Sequence, residues 1–349
     1  MSEQHDNRDG FIPQYLLEKL AERGNEDAKR TLAQSKDIEK HNEELKKNSE
    51  SRQLIENIGG QGKRFIYDSE NTEQFKRKLV RKEGDSPVQD EIVNVAYDHC
   101  GKTLEYLKTK LGHNSIDNQG MDVICNVHFD KNYANAFWTM NQLSLGNGDN
   151  RTFINLSHSI DVVAHEIAHG VTEYVNELKY QFQSGALNEH FSDVVGSAVQ
   201  QFVKGQTAKT ADWLIGDEVV GPNWPGKALR SMKEPGTAHE LDDQPSHMRD
   251  FKKLPIVIDR GGVHINSGIP NKAFYLTAME IGTDQAAFLW INAWKNKSII
   301  HPEATFAEAF TAIQEAAEQL VQQGKLPQQA TAVVKHAFQE VGVPSLGIV

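Results

Sequence analysis

The segment Val162–Tyr174 reads VVAHEIAHGVTEY: His165 and His169 stand four residues apart, and Glu166 directly follows the first. On a helix, residues i and i+4 share a face, and two imidazoles so placed can hold one zinc ion. Glu166, about 100° further round by the 3.6-residue period, stands off the ion but within reach of a water beside it. Two histidines and a carboxylate are costly to bury in a mostly apolar segment unless they are partnered, and a divalent cation is such a partner. The five-residue pattern also arises by chance, so a second segment has to support it. GALNEHFSD, about 20 residues on, places Glu189 and Asp193 again at i and i+4. A catalytic zinc takes three protein ligands and keeps one position open. Glu189 fills the third place, and Asp193 can accept the free ring N–H of a ligand histidine and so fix its tautomer. The metzincin pattern needs a histidine six residues after His169, where Val175 stands.

Surrounding elements have to position these groups. From about Ile55 to Tyr67 the pattern is strand-like. Ser86 and Pro87 read as the cap and first residue of a helix. Val88, Ile92, Ala96, Cys100, Leu104, Leu107 and Leu111 follow at helical spacing until Gly112. MDVICNVHF alternates, with Met121, Val123, Cys125, Val127 and Phe129 on one face, and reads as a half-buried strand. QLSLGNGDNRTFINLS is hairpin and turn material. After about residue 160 helices dominate; the last clear one starts at a capping box, Thr305 with Glu308, and ends at Gly324. The chain is thus α+β, with a strand-containing half, a helical half and HEIAH between them.

At 349 residues it can hold two domains or one bilobed domain. A formal charge of −11 argues against a nucleic-acid partner. No apolar run approaches the length of a membrane span. Cys100 and Cys125 fall at apolar positions and read as buried thiols, not a disulfide framework. The first ten residues, MSEQHDNRDG, lack the basic and apolar regions of a secretory signal. The reading is of a precursor made in the cytoplasm, with any release to the exterior by a non-standard route.

HEIAH, NEHFSD and GGVHINSGIPNKAFY, in that order and spacing, resemble the thermolysin family of zinc neutral metalloproteases over roughly residues 55–349. The short N-terminal region with FIPQYLLEKL resembles the compact propeptide of the protealysin branch. The resemblance implies a bilobed thermolysin-like fold. Residues 1–50 would be propeptide and charged linker, 51–181 a strand-rich lobe including the HEXXH helix, and 182–349 a helical lobe. It implies a zinc endopeptidase acting on peptide or protein substrates through an activated water. His165, His169 and Glu189 would hold zinc. Glu166 would be the general base that moves a proton from the water to the departing amine. His264 and Tyr180 would donate to the developing oxyanion, with Asp259 orienting His264. Asn188 and Asp193 would steady the ligand histidines. Asn135, Ala136 and Arg230 would bind the substrate backbone in extended form. Phe153, Leu156, Val162 and Leu229 match the specificity pocket, which implies cleavage on the amino side of a bulky hydrophobic residue.

Calcium sites of the family use several carboxylates. Asp161, Asp212 and Asp217 match acidic positions, but Gln200 and Leu214 stand where acids are common. The expectation is weak calcium binding or none. Phe11, Ile12, Pro13 and Leu16 form an apolar cluster that needs a surface to cover, which makes the propeptide an intramolecular inhibitor by resemblance. The charged stretch near 36–53 reads as a solvated helix or tether and as the zone of cleavage. A protease fold that has lost turnover and serves as a binding module is the alternative from another class; a small-amide hydrolase using the same zinc chemistry is a third.

Overall fold

A computed structural model of the chain describes residues 10–47 and 60–346. Strand β1 (Arg64–Asp68) pairs antiparallel with β2 (Lys78–Lys82) and parallel with β3 (Val123–Val127). β3 runs parallel to β5 (Gln142–Leu145), which is antiparallel to β4 (Ala136–Thr139). The order β2-β1-β3-β5-β4 leaves β4 at an edge. Helix α3 (Glu91–Thr109) packs on β1 and β3. The strand-like pattern expected from Ile55 is seen as β1 from Arg64; positions 55–59 lie outside the described residues.

Two local expectations are corrected. α3 starts at Glu91, capped by Asp90, whose side chain accepts from the Ile92 N–H at 2.9 Å, and not at Ser86–Pro87. Asn94 takes the Val88 N–H (3.0 Å) and donates to the Val88 carbonyl (2.7 Å), which holds the Ser86–Val88 stretch outside the helix. β3 is buried on both faces, not half-buried. Its second face is covered by the connection between β1 and β2, where the Lys76 N–H bonds Asn126 Oδ1 at 2.8 Å. Polarity at Asn126 therefore does not mark a solvent face.

The long helices α4 (Ile160–Val175) and α5 (Phe182–Lys204) cross the centre of the molecule. α4 is buried along almost its whole length, as expected of a helix apolar on most sides. They approach closely at Gly196, where a Cβ would lie 2.8 Å from the Asp161 carbonyl oxygen. A short ribbon, β6 (Leu214–Ile215) with β7 (Arg230–Ser231), follows. Then come α6 (Asp259–Asn266), α7 (Gly268–Ile281), α8 (Thr283–Trp294), α9 (Phe306–Gln322) and α10 (Ala330–Glu340). The Thr305/Glu308 capping box is present at α9. Cys100 and Cys125 are free and buried. No helix among the described residues is long and apolar enough to cross a membrane.

At the N-terminus, α1 (Gln14–Glu22) and α2 (Glu26–Lys47) form a hairpin against this body. α1 buries Tyr15, Leu16, Leu17 and Leu20. α2 agrees with the helical alternative of the solvated-helix-or-tether reading from residue 36, but it is packed on one side, not wholly solvated, as far as Asn42. Ala28, Thr31, Ser35, Ile38 and Asn42 recur at helical spacing and are buried. Ile38 joins a cluster with Phe75, Phe129, Tyr133, Phe137 and Met140. The stripe is mostly small and polar, so hydrophobic periodicity does not reveal it. The remainder of the stretch read as tether, 48–53, lies outside the described residues.

Candidate active site

α4 and α5 bring three predicted ligands to one point. His165 Nδ1 lies 2.9 Å from Asp193 Oδ1, and His169 Nδ1 lies 2.8 Å from Asn188 Oδ1 and 3.1 Å from Ser192 Oγ. Carboxylate and amide oxygens only accept, so Nδ1 carries the proton on each ring and Nε2 is directed inward. The two Nε2 atoms face each other at 3.1 Å. Glu189 places Oε1 3.3 Å from His169 Nε2 and Oε2 3.4 Å from His165 Nε2. All three residues are buried.

Inward lone pairs this close repel unless a proton or a metal cation lies among them. Four-coordinate zinc with bonds near 2.0–2.1 Å separates its ligand atoms by about 3.3 Å, which is the spacing found. Oε2 of Glu189 accepts no hydrogen bond among the described residues, as a ligand oxygen held for a cation would. Glu166 lies with the two histidines in a group whose ligand-type atoms are all within 4.8 Å of one another. The local field favours positive charge. Burial opposes protonation of His165, but Asp193 and Glu189 outweigh it and push its pKa up to about 9. Burial would raise the Glu189 pKa, yet His264, His169 and His165 hold it well below the usual carboxylate range. The residues fit zinc in donor type, number and spacing.

α6 supplies the opposite wall. His264 Nδ1 donates to Asp259 Oδ1 at 2.7 Å, while Asp259 Oδ2 accepts from the His264 and Ile265 N–H groups, each at 2.9 Å. Asp259, Arg260, Gly261 and Gly262 have φ of 47°, 45°, 85° and 92°. The first two are left-handed without being glycine, a local strain of a kind that gathers at functional sites. This backbone turns Asp259 back onto its own ring partner. The Tyr180 hydroxyl donates to Glu189 Oε1 and lies 3.2 Å from His264 Nε2. Arg230 grips Asp193 through Nε (3.0 Å) and Nη2 (2.9 Å), and Asn271 Nδ2 adds a third donor at 2.9 Å. Burial alone would raise the Asp193 pKa; Arg230 and His165 drive it far below the ordinary value instead.

The N-terminal segment passes through this site. The Phe11 N–H donates to the Ala136 carbonyl (2.9 Å), and the Phe11 carbonyl accepts from Arg230 Nη1 (3.3 Å). Ile12 is held twice by Asn135: its N–H donates to Oδ1 at 2.8 Å and its carbonyl accepts from Nδ2 at 3.0 Å. The Phe11 ring stands edge-on to His165 with centroids 5.0 Å apart, and the Arg230 guanidinium is 5.0 Å from its centre. Phe11 and Leu229 both lie within about 3.0 Å of where a Gly216 Cβ would be. Phe153, Leu156 and Val162 are buried in the same core. Pro13 precedes α1 in extended conformation, and Leu16 is buried.

The residues expected to bind metal, transfer protons and hold a peptide backbone therefore gather around one cleft, whereas Phe153, Leu156, Val162 and Leu16 are placed only in the surrounding core. Sequence reasoning missed Ser192, Asn271 and Gln244, the last donating to the His264 carbonyl at 2.7 Å. Ser192 and Asn271 lie in quoted motifs, but nothing in their spacing gives them a role. Gln244 has no local signal. The acids considered for calcium have partners within the chain. Asp161 accepts from the Gly216 N–H (2.7 Å) and the Ser159 hydroxyl, Asp212 from the Leu214 N–H (3.1 Å), and Asp217 from Gln200 (3.4 Å).

Comparison with known proteins agrees with this geometry. Residues 25–173 match the thermolysin metallopeptidase catalytic domain, and residues 176–343 match its alpha-helical domain. The chain is 39% identical over 314 residues to "Protease PrtS" of Photorhabdus sp. (strain Az29), covering 86% of this chain and 84% of that protein. It is 40% identical over 294 residues to an "Extracellular metalloprotease" of Pectobacterium carotovorum subsp. carotovorum, covering 81% and 82%. Among solved structures it is similar to the precursor of protealysin, a metalloproteinase from Serratia proteamaculans, with TM-score 0.82, 38% identity, and coverage of 97% of this chain and 100% of that one. The chain belongs to the thermolysin family of metallopeptidases, as a zinc-dependent endopeptidase of protealysin-like type made with an N-terminal propeptide.

Proposed function

We propose that the chain is a latent form of this endopeptidase, in which residues 1–50 act as propeptide and linker and the Phe11–Ile12 segment fills the substrate cleft. On this reading residues 51–181 and 182–349 are the two catalytic lobes, and the released enzyme cleaves on the amino side of bulky apolar residues. The observation that carries it is the pairing of Phe11 and Ile12 with Ala136, Asn135 and Arg230. These are the groups expected to hold a substrate backbone, and an extended peptide added to an exposed sheet edge is a common mode of recognition.

His165, His169 and Glu189 would hold the metal, with Asn188 and Asp193 fixing the two rings. Zinc, when bound, polarises the scissile carbonyl and lowers the pKa of water. Glu166, one residue beyond a ligand, takes the proton from the attacking water and hands it to the departing nitrogen. His264, held at Nδ1 by Asp259, directs Nε2 into the cleft beside the Tyr180 hydroxyl, and the two groups are placed to meet the negative charge that builds on the carbonyl oxygen. Arg230 and Asn135 fix the peptide so that this geometry is reached.

A peptide-library cleavage profile of the processed protein tests the specificity. The expected profile is dominated by Phe, Leu and similar residues on the carboxyl side of the cut. Dominance of acidic or basic residues there would refute the pocket assignment. Chelation should abolish casein hydrolysis, and zinc should restore it.

A further inference from the structure

Along residues 11–13 the backbone carbonyls are engaged one after another. The Phe11 carbonyl accepts from Arg230 Nη1 at 3.3 Å, and the Ile12 carbonyl accepts from Asn135 Nδ2 at 3.0 Å. The Pro13 carbonyl receives the Leu16 and Leu17 N–H groups at 3.1 and 3.2 Å as α1 begins. Among the described residues no donor reaches the Gly10 carbonyl. Of the peptide bonds in this stretch, those that follow Phe11, Ile12 and Pro13 are each turned by their carbonyl onto the cleft wall or into α1. The Gly10–Phe11 bond is the one left free to react. It lies on the amino side of the residue whose ring rests 5.0 Å from that of His165.

We propose that Gly10–Phe11 is the first bond this enzyme hydrolyses in its own chain, in cis, and that the cut trims the propeptide without releasing it. This rests on the reading of the cleft given above. Water adds to the Gly10 carbonyl carbon, the C–N bond breaks, and Glu166 carries the proton from the water to the Phe11 nitrogen. The products are a Gly10 carboxylate and a Phe11 amine. The hydrogen bonds that Phe11 and Ile12 make do not involve Gly10, and α1 and α2 stay buried against the catalytic lobes. The trimmed hairpin therefore remains in the cleft as a bound product, and trimming precedes activation. Gly10 is part of the device. A Cβ there would lie 2.4 Å from the Ala136 carbonyl oxygen and 2.7 Å from Asn135 Nδ2, so any side chain at this position displaces the bond.

The test uses the full chain loaded with zinc, followed by intact mass and N-terminal sequencing at several protein concentrations. The expected result is loss of residues 1–10, a new N-terminus reading Phe-Ile-Pro, and a first-order rate independent of concentration. The cut should be absent in Glu166→Gln. Gly10→Val and Phe11→Asp should slow it about 100-fold, the cost of roughly 1 Å of misplacement. Hydrogen exchange on the uncut Glu166→Gln chain gives a readout without turnover: the Phe11 and Ile12 amides should be protected, and adding Gly10→Val should expose them. Casein-active protein in which the Gly10–Phe11 bond is never cut overturns the inference and leaves the protease reading intact. A rate that rises with concentration overturns the cis step. A zinc-loaded, processed chain that hydrolyses neither casein nor itself removes both.

Discussion

Asp193 joins the metal centre to the substrate cleft. Its carboxylate accepts from His165, from two nitrogens of Arg230 and from Asn271, while Arg230 also reaches the Phe11 carbonyl. One buried charge thus holds the Nδ1–H of His165 and the guanidinium that reaches the Phe11 carbonyl. Charge-assisted, two-pronged pairing makes that aim rigid. Asp193→Asn keeps the shape but removes the charge and turns an amide donor toward donors. Zinc affinity should fall about 10- to 100-fold, as measured by competition with a chelator. The Michaelis constant for short peptides should rise as well, because Arg230 loses its anchor. Unchanged zinc affinity would show that His165 does not depend on this partner. The metal pair and Glu166 were legible in sequence because helical spacing alone gives them a common face. Arg230's hold on Asp193 was not, since those residues lie 37 positions apart and meet only through β7 and α5.

Among the elements, the 225–241 connection before and after β7 depends on a neutral histidine. His239 Nε2 donates to the Leu229 carbonyl (3.2 Å), and Nδ1 accepts from the Leu241 N–H (3.1 Å). Burial holds its pKa down to about 4, with Lys19 and Arg230 adding to the effect against the opposing Leu229 hydrogen bond. The folded pKa is below the unfolded value near 6.5, so the unfolded chain binds the extra proton. The stabilisation is complete above pH 6.5 and is lost as pH falls toward 4. It amounts to about 3 kcal/mol. Melting temperatures recorded from pH 7.5 down to 4.5 should fall less steeply for His239→Gln than for the parent chain; parallel curves would rule out this contribution. At the same scale, helix starts and buried strands were read imperfectly. Asn94 and Asn126 decide them by long side-chain bonds to backbone, which periodicity does not encode.

For the whole molecule, the proposed latency depends on how firmly the α1–α2 hairpin sits. Its apolar residues are continuous with the main core, and Ile38 plugs a separate aromatic cluster. Polar ties add register: Asn25 to Thr152 (3.0 Å), Gln34 to Asp130 (2.9 Å), Ser35 to Tyr133 (3.2 Å) and Arg260 to Glu39 (3.4 Å). Most of these are partly exposed and individually weak, so burial carries the docking. Ile38→Asp places a charge among Phe75, Phe129 and Phe137 and should weaken docking by about 3 kcal/mol or more. The expected outcome is faster proteolysis of the hairpin by added trypsin and earlier appearance of casein hydrolysis. Equal trypsin half-lives for variant and parent would show that Ile38 does not hold the hairpin.

The sequence by itself determined the His165–Glu166–His169 cluster on one helix, the α+β plan and the presence of an apolar N-terminal cluster. Each depends on short-range spacing or on a motif that survives as a string. Only the tertiary structure decided that α2 is a packed helix, that Asp193 serves two masters and that Phe11 and Ile12 lie along β4 in the cleft. Those outcomes arise from contacts between residues up to 221 positions apart, where the favourable energy comes from surfaces that meet only after the chain has folded.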